Sequence, residues 1–171
     1  MQERAVHPSF AASGVRWLWL SLAIVVLDQW TKALATQHLV YGVPVPFLDV
    51  FWNWTLVHNY GGAFSLFADH PGWQKYFFLT VATAVTGFIL LWLRRESAKH
   101  WVLCVPLALV VAGAIGNVID RIRFGYVVDF VHWYVGQYSW PVFNIADSAI
   151  TVAAVWLIGH ELFGAKKQPN T

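Results

Sequence analysis

Two aspartates stand in apolar surroundings with no lysine or arginine within one helical turn of either. Asp129 lies in Gly125-Tyr126-Val127-Val128-Asp129-Phe130, after a glycine break, and Asp147 lies in Phe143-Asn144-Ile145-Ala146-Asp147-Ser148-Ala149. Two carboxyl groups that enter one dry pocket cannot both ionise cheaply, so they share a proton. The ionised member then takes a proton from water while the neutral member donates one to a carbonyl oxygen, which is aspartic-protease chemistry. It requires no metal, serine or cysteine. Two isolated acids with separate structural roles fit the same residues.

Other chemistries find less support. There is no HExxH, and the histidines at 7, 38, 58, 70, 100, 132 and 160 follow no zinc spacing and fall mostly in loops and ends, where an interfacial role is expected. Ser65 and Ser148 lack a nucleophile-elbow context, and no glycine-rich loop suits a nucleotide. The single cysteine, Cys104, sits in an apolar run and excludes an internal disulfide. Net charge is only +2 with no long basic block, which argues against a nucleic-acid partner. Nothing calls for a metal or other cofactor.

Further polar residues interrupt apolar stretches. Asp28 and Lys32 are four apart, acid first, the order in which a helical pair neutralises itself, and the expectation is a structural ion pair. Ala112 and Gly116 permit close approach of a neighbouring helix. Asn117 then shares a helix face with Asp120 or Arg121. For Asp120 one reading is a helix cap with an Asp120–Arg121 pair; Arg121 also suits a phosphate or a peptide carbonyl.

These residues must be positioned by membrane elements. Of the 171 residues, 58% are hydrophobic and 12% charged, about half the charge of a soluble domain. Mean hydropathy is +0.52. The length suits one unit covering 1–171. Four apolar stretches, near Val15–Ala35, Tyr76–Leu93, Trp101–Ile119 and Phe143–Phe163, approach the roughly 20 residues that a membrane-crossing helix needs. Arg4, Arg16, Arg94, Arg95, Lys99, Lys166 and Lys167 fall on one side, and Lys75, Arg121 and Arg123 on the other. That bias puts both termini in the cytoplasm, with segments near 36–75 and 120–142 on the outer face. Ala33-Leu34-Ala35 resembles a signal-peptide cleavage site, but Asp28, Gln29, Thr31 and Lys32 interrupt the approach to it, so an uncleaved first span is expected. Between the first two spans, about 40–65, β-branched and aromatic residues crowd between glycine and proline breaks; a small interfacial β-platform is expected there.

Five ordered blocks on these four spans resemble lipoprotein signal peptidase, also called signal peptidase II. They are Leu27-Asp28-Gln29-Trp30-Thr31-Lys32, His58-Asn59-Tyr60-Gly61-Gly62-Ala63-Phe64-Ser65, Gly116-Asn117-Val118-Ile119-Asp120-Arg121, the block containing Asp129 and the block containing Asp147. The resemblance implies an all-α membrane protein of four transmembrane helices with a small β-cradle on the outer face. It implies an aspartic endopeptidase that cleaves diacylglyceryl-modified prolipoproteins just before the lipidated cysteine. By the family's motifs Asp129 and Asp147 correspond to the catalytic pair, at the outer ends of spans three and four. Asn59, Asn117, Arg121 and Asn144 resemble substrate-binding residues, and Asp120 and Gly61 supporting ones. The expected setting is the bacterial inner membrane, with membrane lipid as a neighbour and the protein a monomer. The segment Val131–Trp140 has no secure counterpart.

Two rivals use the same residues. Intramembrane Asp, Asn and Arg also build transporters and proton channels. A non-catalytic lipoprotein chaperone would need neither acid.

Overall fold

Helix α1 runs over Leu18–His38, α2 over Trp73–Arg95, α3 over Trp101–Arg123 and α4 over Ile145–Gly164. All four are long and apolar enough to cross a membrane. The expected spans are therefore present, with α2 and α3 extending beyond their apolar stretches and α1 and α4 starting slightly later than expected. The computed structural model describes residues 8–61 and 73–164. Gly62 to Ser65, His7, His70, Arg4, Lys166 and Lys167 lie outside the described residues.

Helix α3 is the axis of the bundle. Of its apolar stretch 56% is buried, against 22% or less for the other three. It packs against α1, α2 and α4. Leu107 and Val111 join Ile89 and Leu93 of α2 at one end, and Leu109 joins Ala149 and Ala153 of α4 beside Leu20 and Ile24 of α1. Apolar side chains gain little by leaving lipid for protein, so close backbone approach and polar ties must hold such helices. Ser21 supplies one tie, its hydroxyl donating to the Ala108 carbonyl at 2.6 Å.

Gly113 and Gly116 admit neighbouring elements closely, Gly116 being one of the Ala112/Gly116 pair suggested by spacing. A methyl at Gly113 would lie 2.4 Å from the Ala146 carbonyl oxygen and 2.5 Å from Ile150; one at Gly116 would lie 2.7 Å from an Asp28 carboxylate oxygen. Gly113→Ala is therefore expected to push α4 off α3 and to destabilise the protein by about 1–3 kcal/mol. Thermal unfolding in detergent checks this. An unchanged midpoint would mean that α4 is not seated against Gly113.

At one end of the bundle lies an antiparallel sheet in the order β1-β2-β3-β4, with β1 at Val45–Leu48, β2 at Trp52–Asn59, β3 at Val127–Val135 and β4 at Tyr138–Ser139. The first two strands are the expected platform. The second half of β3 and all of β4 fall in the segment that had no secure counterpart, and the first half of β3 changes one expectation: Asp129 is carried by a strand, not by the end of a transmembrane helix. Val127, Val128 and Val131 favour a pleated strand. Gly125, at φ +89°, turns the chain out of α3 in a backbone conformation that an L side chain resists. The core under the sheet is Ala35, Leu56, Val128, Phe130 and Val131. At the other end the N-terminal segment is stitched to the α2–α3 turn, Gly14 N–H donating to Glu96 O and Ala98 N–H to Ala12 O. Arg16, Arg94, Arg95 and Lys99 belong to that end, away from the sheet.

Candidate active site

Strand pairing brings the two acids together. In the β2–β3 register Val57 faces Asp129 and Asn59 faces Val127. The segment entering α4 is sewn to the same strand, since Phe143 O accepts from Phe130 and Val131 N–H, and Phe143 N–H donates to Val131 O. The residues just after Phe143 are thus delivered beside Asp129.

Those residues begin α4 with a capping box. Asn144 precedes the first helical residue and accepts the Asp147 N–H on Oδ1 at 2.9 Å; the Asp147 carboxylate reaches back to Asn144 N–H at 3.4 Å. The cap also has a second use. Its amide nitrogen donates to Asp129 Oδ1 at 2.6 Å and to Asn117 Oδ1 at 3.2 Å. One fully buried asparagine therefore touches both acids. Asn59 Nδ2 donates to the other Asp129 oxygen at 3.1 Å, and Asn117 Nδ2 donates to Asp147 Oδ1 at 2.8 Å.

Asp129 is only 1% exposed. Burial first, and then the negative charge of Asp147, push its pKa up to about 8, against the opposing pull of Asn59, Asn144 and Lys32. The pair accordingly retains a proton through neutral pH, as macroscopic behaviour of two coupled groups.

The remaining residues expected at a site lie around this pair. Gly61 N–H donates to Asn59 Oδ1 at 3.0 Å, and Gly61 O accepts from Arg121 Nη2 at 2.7 Å. The Arg121 guanidinium lies 4.9 Å from the centroid of the Phe78 ring, so α2 contributes a cation–π contact. The expected Asp120–Arg121 pair is replaced by other partners. Asp120 turns to Lys32 at 2.9 Å and accepts the Val128 N–H at 3.0 Å, because both charges have better geometry with neighbours from other elements than with each other. Lys32 also pairs with Asp28 at 2.8 Å, as their spacing suggests. Ala33, Leu34 and Ala35 lie within α1, with Ala35 in the core.

Three contributors escaped the reading of the sequence. Gln29 bridges Asp28 and Asp120 from the same span, and its position one residue after Asp28 was the available signal. Phe78 carried none. Asn144-x-x-Asp147 before an apolar run is a helix-start pattern that could have identified the cap. His58 is half-buried at 4.0 Å from Tyr126 and 4.7 Å from Tyr41 by ring centroids, and burial lowers its pKa. That placement is among aromatic rings.

A cavity of about 560 Å3 opens beside the pair, between α2, α3 and α4. Asn59, Asn117, Arg121 and Asp147 line its polar end, while Val81, Ala82, Val85, Val110, Ala114 and Val152 line its depth. The volume falls in the usual range for a binding site, and Ser148 and Thr151 of α4 add hydroxyls to an otherwise largely apolar wall. Phe78, Val81 and Val85 of α2 line one side of this cleft and Ile150, Thr151 and Val152 of α4 another.

Comparison with known proteins agrees with this arrangement. The family described as signal peptidase (SPase) II matches residues 20–163. A lipoprotein signal peptidase of Acinetobacter baumannii is 52% identical over 154 residues, covering 90% of this chain and 87% of its own. One from Xylella fastidiosa is 45% identical over 168 residues and 98% of both chains. Among solved structures, a bacterial membrane enzyme determined by the in meso method at 2.3 Å has a TM-score of 0.78 at 26% identity, over 91% of this chain and 94% of its own. A second, at 1.9 Å, has a TM-score of 0.77 at 23% identity over 97% and 100%, which speaks to the fold alone. With four helices, a small sheet and a match along most of its length, the chain belongs to the signal peptidase II family of membrane peptidases.

Proposed function

We propose that this protein removes the signal peptide from diacylglyceryl-modified prolipoproteins, cleaving before the lipidated cysteine with Asp129 and Asp147 as the catalytic pair. The observation that carries the reading is the single side chain of Asn144, bonded to one acid by its amide nitrogen and to the N–H of the other by its oxygen. The ionised carboxyl takes a proton from a water molecule as the water oxygen attacks the scissile carbonyl carbon. The neutral carboxyl gives its proton to the carbonyl oxygen, producing a neutral diol. Collapse of the diol breaks the C–N bond, with a proton passing to the leaving nitrogen. The signal peptide departs as a carboxylic acid and the lipidated cysteine gains a free amine.

The surroundings support the remaining roles. Asn59, Asn117, Arg121 and Asn144 offer hydrogen bonds to an extended peptide that loses its water, while Asp28, Lys32, Gly61 and Asp120 support the frame. The substrate's lipid is held in the bilayer by about 0.8 kcal/mol per buried methylene, so the chemistry must come to the interface. The apolar depth of the cleft suits an acyl chain or the signal helix. We place the protein in the bacterial inner membrane as a monomeric unit of one domain, with the basic end in the cytoplasm and the sheet outward.

The test is purified protein incubated with diacylglyceryl-modified precursor and, in parallel, the unlipidated form. Release of the signal peptide from the first, at least tenfold slower from the second, is the expected result. Folded protein that releases nothing would reject the enzyme reading. Equal rates would remove the lipid from recognition.

A further inference from the structure

Lys32 is 3% exposed, lies in a transmembrane helix and touches no part of the proposed catalytic pair by hydrogen bond. An ammonium has three donors. Here they are used on three acceptors: Asp28 Oδ2 at 2.8 Å, Asp120 Oδ2 at 2.9 Å and Asn117 Oδ1 at 3.2 Å. Each acceptor is in turn bonded to a segment that carries an acid of the pair. Asp28 Oδ1 accepts the N–H of Ala146, the residue before Asp147, at 2.9 Å. Asp120 Oδ2 accepts the N–H of Val128, the residue before Asp129, at 3.0 Å. Asn117 donates to the Asp147 carboxylate itself.

The arrangement is one cation with three arms, reaching α4, β3 and α3. Gln29 Nε2 closes it, donating to Asp28, Asp120 and the Gly116 carbonyl. A buried ionic cluster is poor value as a source of stability, because a well-packed apolar replacement is often neutral or better. What it supplies is position. The N–H of Val128 and the N–H of Ala146 meet carboxylates whose separation Lys32 sets.

We infer that Lys32 is a positioning residue for the cleavage reaction, holding the backbone on the N-terminal side of Asp129 and of Asp147 through Asp120 and Asp28. This rests on the catalytic pair proposed above. A displacement of about 1 Å at a reacting centre can cost about 100-fold in rate. The loss falls mainly on turnover, since Lys32 has no bond to Asn59, Arg121 or Asn144, and Asn117 keeps its bonds with Asp147 and Asn144 when the ammonium is gone.

Two variants test this, compared with the parent in detergent with diacylglyceryl-modified precursor as substrate. Lys32→Met leaves two buried carboxylates facing each other and can fail to fold. Lys32→Met combined with Asp28→Asn keeps the cluster's net charge unchanged while removing the ammonium, and decides the matter in that case. The expected result is a fall in kcat of about 100-fold per folded molecule with KM within about twofold. Hydrogen exchange should quicken in peptides covering 126–130 and 144–148 and stay unchanged where Gly14 N–H meets Glu96 O and Ala98 N–H meets Ala12 O, at the far end of the bundle. Parental kcat with only a lower unfolding temperature, or parental exchange in both peptides, would overturn the inference. Asp147→Asn run alongside separates the two readings. If it cleaves like the parent, the catalytic pair is wrong, and the exchange data alone judge whether Lys32 holds the two segments.

Discussion

Asp129→Asn and Asp147→Asn should each lower kcat by about 10³-fold or more, the scale of losing an essential acid–base group, while lipidated precursor still binds. The two substitutions differ in their local cost. Both Asp129 oxygens accept from amides, one from Asn59 and one from Asn144. A carboxamide offers a single oxygen, so one of these donors would meet an NH2 group and lose its partner. At Asp147 the change also weakens the helix cap, because the carboxylate accepts from Asn144 N–H. Single-turnover cleavage together with precursor binding checks both. Binding retained with cleavage lost is expected of an enzyme; cleavage that survives Asp147→Asn would remove the mechanism. The same pair sets the pH dependence. Because burial and the neighbouring acid push the Asp129 pKa up to about 8, the one-proton form of the coupled pair persists through neutral pH and kcat should fall along an alkaline limb near pH 8. For stability the sign is the same: a raised native pKa means that the folded state binds the proton more tightly. This contribution is complete below the unfolded value and lost as pH rises through about 8.

Asn144→Ser is the second large effect, with an expected fall in kcat of about 100-fold and little change in thermal stability. Serine at this position still caps α4 through its hydroxyl, accepting the Asp147 N–H as Asn144 Oδ1 does at 2.9 Å. It has no second arm to donate to Asp129, a bond of 2.6 Å in the native protein. Asn144→Leu removes both functions, so it should lose activity and a further 0.5–2 kcal/mol or about that of helix stability. Measuring kcat and unfolding midpoint for both variants separates the helix cap from the alignment of the acids. Equal midpoints for serine and leucine would show that the cap contributes nothing. Parental kcat in Asn144→Ser would show that the bond to Asp129 is dispensable.

The amino-acid sequence by itself determined the solvent, the number of spans and the residues that chemistry could use. Long apolar stretches force helices in a bilayer because no water is there to satisfy the backbone, so the four spans followed from composition alone. Acids without neighbouring bases in apolar stretches cannot be left unexplained, which singled out Asp129 and Asp147 before any fold was known. Partnership was a different matter. Spacing favoured Asp120 with Arg121, yet Asp120 meets Lys32 and Arg121 meets the Gly61 carbonyl. Spacing singled out Gly116, and only the packing adds Gly113 as a place where α4 is admitted. Asp129 stood in a stretch with no helix period, and only its pairing with β2 and the Phe143 stitch put it beside Asp147. The physical reason is one of range. Solvent preference and local geometry are properties of neighbours along the chain, whereas a hydrogen bond or ion pair between Asp28 and Ala146, 118 residues apart, exists only once the packing of whole elements has chosen it.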